Sequence, residues 1–158
     1  MKRRTFLQTS GIIGSATILP SPASGQNQLA NEPIIIATWK NEKGTKSGWD
    51  KMMQTGRALD GVEAGAWIPE ADPNETSVGY GGLPDRDGHV TLDACIMDHL
   101  GNAGAVTFLE GIMHPISVAR AVMEKTPHVM LSGAGALKFA LEQAFNKQNF
   151  LTPASKKA

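Results

Sequence analysis

Asp93 lies within the run HVTLDACIM, where Val90, Leu92, Ala94 and Ile96 alternate with Thr91, Asp93, Cys95 and Met97. A strand has a side-chain period of two, so the two sets fall on opposite faces, and apolar residues in both predict burial on both sides. A carboxylate inside such a strand needs hydrogen-bond partners: it either holds nearby backbone N–H groups or supports a site. Cys95 in the same strand is expected to be buried and inert, and as the sole cysteine it permits no internal disulfide. Other reactive types lack a working frame. Ser132 precedes Gly-Ala-Gly without the Gly-x-Ser-x-Gly of a nucleophile elbow, and Gly133-Ala134-Gly135 has no third glycine at dinucleotide-loop spacing. His89, His99, His114 and His128 follow one another at intervals of 10, 15 and 14 residues, which is not a metal-ligand pattern. The acidic stretch 70–75 has no fixed ligand spacing and reads as a solvated loop, so no metal is expected.

The densest local signal is a glycine turn. Gly79, Gly81 and Gly82 surround Tyr80, the one tyrosine of the chain. Three glycines in four positions imply positive φ or close backbone approach, with Gly81 a position where a β-branched residue is expected to be strained. Asp85-Arg86-Asp87-Gly88 then reads as a turn that delivers the chain into the strand at residues 89–97.

Several elements must position these residues. The β-branched run 33–39, bounded by Pro33, predicts a first strand buried on both faces. Residues 40–47 read as a loop. Ser47-Gly48-Trp49-Asp50 has capping-box spacing, and the helix it opens places Trp49, Met52 and Met53 on one side and stops near Gly56. A second helix turns Leu59, Val62 and Ala66 to the core and ends before Pro69. Residues 104–109 predict a strand antiparallel to 89–97. Pro115 opens a helix with Ile116, Ala119, Val122 and Met123 on its apolar face and Pro127 beyond its end. Residues 129–131 form a short strand, and a last helix carries Leu137, Leu141, Ala144 and Phe145 on one face.

The chain begins with a leader. Lys2, Arg3 and Arg4 precede Phe6-Leu7, an apolar run covers 11–19, and residues 20–25 are small and turn-prone. That is a twin-arginine-type signal over 1–25, cut after Ala23 or Gly25, and its apolar run is far short of the roughly 20 residues of a membrane span. Residues 26–32 form a loose linker. Basic and acidic residues number 15 each, so loss of the three leader cations leaves a net charge of −3, which gives no sign of nucleic acid as a partner. The remainder is one domain at most, residues 33–151, with a polar tail over 152–158.

The stretch SVGYGGLPDRDGHVTLDACIMD, continued by PISVARAVMEKTPHVML, closely resembles the asparaginase family of N-terminal-nucleophile hydrolases, and in particular its glycosylasparaginase branch. The resemblance covers about residues 33–153. It implies an α/β (α+β) fold, the N-terminal part of a four-layer αββα sandwich. It implies a precursor that cleaves itself at an Asp-Thr bond, the new N-terminal Thr acting as nucleophile and base. An α-amino group titrates near 7.7–8.0, so it can accept the hydroxyl proton at working pH. The implied substrate is the side-chain amide of an asparagine, bare or glycosylated, with no cofactor. The implied partners are the C-terminal half of the same precursor and a second αβ protomer, with no membrane association once the leader is cut. The chain stops before the expected Asp-Thr site, so none of its residues is the nucleophile, and the chain alone is expected to be inactive. Trp39 and Ser77 match substrate-site positions, while Gly79, Gly81, Gly82 and Asp93 support the site. After Trp39 stands Lys40-Asn41-Glu42, where the branch usually has an aromatic and a longer loop. The other reading is an exported, non-catalytic binding protein that keeps half of the fold.

Overall fold

The structure is a computed structural model that describes residues 32–153 and 155–157. The leader and most of the linker lie outside the described residues. Every regular element below belongs to one compact unit, Ile35–Ala158.

Two helices come first: α1, Glu42–Thr55, and α2, Ala58–Ala71. A 3-10 turn, Gly79–Gly81, leads to β1, Thr91–Met97, and β2, Ala103–Glu110. Then follow α3, Pro115–Lys125; β3, Met130–Ser132; and α4, Gly133–Glu142. The sheet has the order β1-β2-β3, with β1 and β2 antiparallel, as the sequence predicts, and β3 parallel to β2. Asp98 closes the hairpin: its Oδ1 accepts from the N–H groups of Leu100 and Asn102, both at 2.9 Å. The mixed helix-and-sheet layering is that of a partial sandwich.

One face of the sheet is covered. Ile96, Val106 and Leu109 meet Ile116, Val118, Ala119 and Val122 of α3 and Ala136 and Ala140 of α4 in one buried cluster. Helix α3 begins at Pro115, where a missing N–H costs nothing, and comes nearest the sheet at Gly104, which lies flat against the backbone of Ala119. A smaller cluster joins Val90 and Leu92 to Phe150, with Tyr80 edge-on to Phe150 at 5.8 Å between ring centroids.

Several elements differ from the sequence expectation. Residues 33–39 form no strand, and Ile34 and Ile36 are exposed. β-branched residues fit a pleated, half-buried surface rather than creating one, and among the described residues no strand pairs with this run. The opposite face of β1 is likewise open: Asp93, Cys95 and Met97 are exposed, so Cys95 is not buried.

The stretch 40–47 is not a loop. Helix α1 starts at Glu42, capped by Asn41, whose Oδ1 accepts from the N–H of Gly44 at 3.0 Å. Its buried face is Gly44 and Gly48, not Trp49 and Met53, which lie outside. A Cβ on Gly48 would come within 2.6 Å of the Gly61 carbonyl oxygen, and one on Gly61 within 2.7 Å of the Gly48 carbonyl oxygen. Gly44, which suggests a loop, and Gly48, read as a helix start, are in fact on the seam along which α1 and α2 touch. Helix α2 runs past Pro69, which removes one hydrogen bond only in its last turn. Leu59 and Ala66 pack on the core as expected, and Val62 is exposed. In α4 the small residues Ala136 and Ala140 are the buried ones, and Leu141 is exposed.

Candidate active site

Two of the site residues named from sequence, Trp39 and Asp93, line one cavity; Ser77, Gly79, Gly81 and Gly82 do not. The cavity, of about 390 Å³, is lined by Trp39, Asn41, Val62, Glu70, Val78, Asp93, Cys95 and Ile116 among others. Trp39 and Asp93, which are 54 positions apart in the chain, thus both line it. Ser77 does not line this space; its neighbour Val78 does. A smaller hollow of about 210 Å³ beside His89 and Glu110 shares no residue with it.

The glycine turn is held by backbone packing. Gly79 has φ +61°, and a Cβ there would collide with the carbonyl and Cα of Glu70. Gly81 is not at positive φ; it is glycine because the carbonyls of Glu75 and Pro73 leave no room for a side chain. Gly82 sits with its would-be Cβ 3.0 Å from the Gly79 carbonyl oxygen. Only one of the three glycines therefore uses conformational freedom, and the other two use absence of bulk.

Ser77 is exposed, and Glu75 fixes it. Its N–H and its hydroxyl both donate to Glu75 Oε1, at 3.0 and 2.6 Å. Those two bonds, the hydroxyl's first, hold the Glu75 carboxyl below its ordinary range. With its proton committed to Glu75, Ser77 Oγ faces outward as an acceptor, suited to a donor such as an ammonium group.

Asp93 is exposed, not buried, and its partners are on β2. Its Oδ1 accepts from Thr107 Oγ1 at 2.7 Å and from the Phe108 N–H at 2.8 Å. The β1–β2 register shifts between Leu92 and Ala94, and Phe108 takes φ +52° beside it. Asp93 thus anchors a β-bulge, a device that re-aims side chains next to sites.

The sequence reading missed Glu70. It belongs to the last turn of α2 and not to a solvated loop, and it is buried. Its Oε1 accepts from the Ile116 N–H at 3.1 Å, and its Oε2 lies 3.2 Å from His114 Nδ1. Burial pushes its carboxyl up, against the opposing pull of His114 and the Ile116 N–H. The signal was present in the spacing: Glu63, Ala66 and Glu70 recur at helical intervals on the face that meets the core. Below it, Arg120 Nη1 pairs with Asp60 at 2.7 Å and Glu63 at 2.6 Å, and its Nε with Glu124 at 2.9 Å. Among the described residues no cluster of three His, Cys, Asp or Glu is placed to hold a metal ion, and no helix is long and apolar enough to cross a membrane.

The sequence profile of the family described as Asparaginase matches residues 21–158. The chain belongs to the asparaginase family. Within it, the chain is 52% identical over 98% of its length to the N(4)-(Beta-N-acetylglucosaminyl)-L-asparaginase of Elizabethkingia miricola, 48% of which is covered. It is 39% identical over 78% of its length to the enzyme of the same name from Mus musculus, 36% of which is covered. An isoaspartyl peptidase/L-asparaginase of Rattus norvegicus is 38% identical over 90% of the chain, which covers 38% of that protein. The sequence places the chain in the glycosylasparaginase branch, and the mixed α/β layering agrees with the N-terminal-nucleophile hydrolase fold of the family. The chain spans about half the length of the first of these relatives and little more than a third of the others.

Proposed function

We propose that this chain is the α-chain part of an exported amidohydrolase of the glycosylasparaginase type. The observation that carries the reading is the 52% identity over nearly the whole chain to an N(4)-(Beta-N-acetylglucosaminyl)-L-asparaginase. That Trp39 and Asp93 line the same cavity supports it. In this reading a C-terminal half of the same precursor brings the Thr nucleophile, freed by cleavage of an Asp-Thr bond. Its α-amino group takes the hydroxyl proton, the alkoxide attacks the side-chain amide carbon, and an oxyanion hole from that half stabilises the tetrahedral intermediate. Trp39 packs against the substrate, Ser77 Oγ accepts from its ammonium group, and no cofactor takes part. The second half also covers the open face of β1 and pairs with residues 35–39, and two such αβ units assemble. The twin-arginine leader sends the folded precursor out of the cytoplasm.

The test is production of the gene's full-length product, followed by mass spectrometry for cleavage before a Thr and an assay with asparagine and aspartylglucosamine. Cleavage and hydrolysis of either substrate are expected, and Trp39→Ala is expected to lower kcat/KM on the order of 10²-fold by loss of positioning. A product that is neither cleaved nor active overturns the reading and favours a non-catalytic binding protein.

A further inference from the structure

Glu70 is a buried carboxylate that the proposed chemistry does not use. It stands where three pieces of the cavity wall meet. Its side chain holds the start of α3 through the Ile116 N–H, and it holds His114 one residue before that helix. Its own backbone is the floor on which Gly79 lies, with no room for even a methyl group between them. Glu70, Val78 and Ile116 all line the cavity that Trp39 and Asp93 share. The carboxylate clamps the end of α2 to the start of α3, and Gly79 rests on the backbone of that same residue, so a loosening of the clamped helix end reaches both the turn and α3.

We infer that Glu70, braced by His114, is a positioning residue that sets the glycine turn, and with it Val78, against the cavity. The inference rests on the functional reading above only for what the cavity binds. The ionised carboxylate grips best, because a hydrogen bond to a charged acceptor is about twice as strong as a neutral one. The titratable groups near it are Glu63 on its own helix and His114 ahead of α3; Asp93 on β1 lines the same cavity but is bonded to β2. On acidification Glu70 takes up a proton, its hold on the Ile116 N–H and His114 weakens, and the turn relaxes.

Tyr80 within the turn reports its position. The experiment is 19F NMR of the full-length protein labelled with 3-fluorotyrosine, the Tyr80 resonance being assigned by its loss in Tyr80→Phe, with hydrolysis measured in parallel. The Tyr80 resonance is expected to move in one step as pH falls. Glu70→Gln, which keeps the acceptor oxygen and the shape, is expected to abolish that step and to lower kcat about tenfold. His114→Asn removes the imidazole that hydrogen-bonds the carboxylate and is expected to shift the step to higher pH, since the carboxylate then protonates more easily. His114 is partly exposed, so this variant reports even where Glu70→Gln does not fold. A Tyr80 step that survives Glu70→Gln unchanged, or one that His114→Asn leaves in place, overturns the inference. If the step behaves as expected but neither substrate is hydrolysed by the wild type, the functional reading fails and the positioning role stands.

Discussion

The Asp93 carboxylate on β1 grips the backbone N–H of Phe108 on β2 at 2.8 Å, across the one register shift between those strands. Phe108 has a left-handed backbone, a conformation that costs a residue with a Cβ roughly 1–2 kcal/mol. The carboxylate offsets that cost and fixes the bulge. Asp93→Ala is expected to lower stability by about 1–3 kcal/mol, and Asp93→Asn, which keeps an acceptor, by less. Phe108→Gly in the Asp93→Ala background is expected to recover part of the loss. Thermal denaturation followed by circular dichroism checks all three, and equal melting of wild type and Asp93→Ala would show that the bulge does not need its anchor.

Glycines of equal appearance in the sequence are expected to respond very differently. Gly79→Ala drives a methyl group into the backbone of Glu70, so loss of the folded state, or of soluble protein, is the expected result. Gly88, at φ +88° with open space around it, bears only conformational strain, so Gly88→Ala is expected to cost about 1 kcal/mol. Denaturant titration distinguishes the two.

Arg120 is largely buried among Asp60, Glu63 and Glu124. Removing a cation from such a cluster leaves carboxylates facing one another out of water. Arg120→Ala is expected to cost about 3–5 kcal/mol, and Arg120→Lys to recover only part, because an ammonium lacks the planar fork that reaches three carboxylates. A loss below 1 kcal/mol in a urea melt would mean that the cluster is solvated.

Ser77 lends a pH-dependent contribution. The carboxyl of Glu75 is depressed by its two bonds from Ser77, so the stabilisation is present above the ordinary carboxylate range and is lost as pH falls through the depressed value. Ser77→Ala removes the larger of the two bonds. Its deficit relative to wild type is expected at pH 7, to be no more than about 1 kcal/mol because solvent screens the pair, and to fade as the pH falls through the depressed value. A deficit that is the same at pH 3 and pH 7 would assign the effect to packing instead.

Period and punctuation made the central hairpin and α3 legible. The alternation through Val90, Leu92 and Ile96 put those side chains in the core, and Pro115 marked a helix start. What could not be read depended on partners far along the chain. Gly44 looks like a loop residue and Gly48 like part of a helix start until Gly61 and Gly65 are set against them. The run 33–39 has the side chains of a strand, but a strand is made by pairing, and composition does not reveal a neighbour. Asp93 was expected to need partners and has them, yet as an exposed bulge anchor rather than a buried one. Glu70 was hidden because an acid after a proline, at the head of an acidic stretch, resembles a solvated turn, and only the arrival of His114 and the Ile116 N–H, more than 40 residues later, makes it a buried ligand of the backbone.

Where Gly48 and Gly61 meet, the α1 and α2 backbones are in direct contact, with no layer of side chains between them. Helices that touch in this way cannot slide or rock past each other, since any tilt drives carbonyl into carbonyl. They form a single beam, with Asn41 at one end and Glu70 at the other end of the second helix. The beam buries little oil of its own, because glycine offers none. Its grip on the rest of the molecule runs through Leu59, Ala66, the Glu70 carboxylate on α3 and the carboxylates that hold Arg120. Amide exchange should therefore find both helices opening as one cooperative unit and at one common free energy, below that of the β1–β2–α3 core.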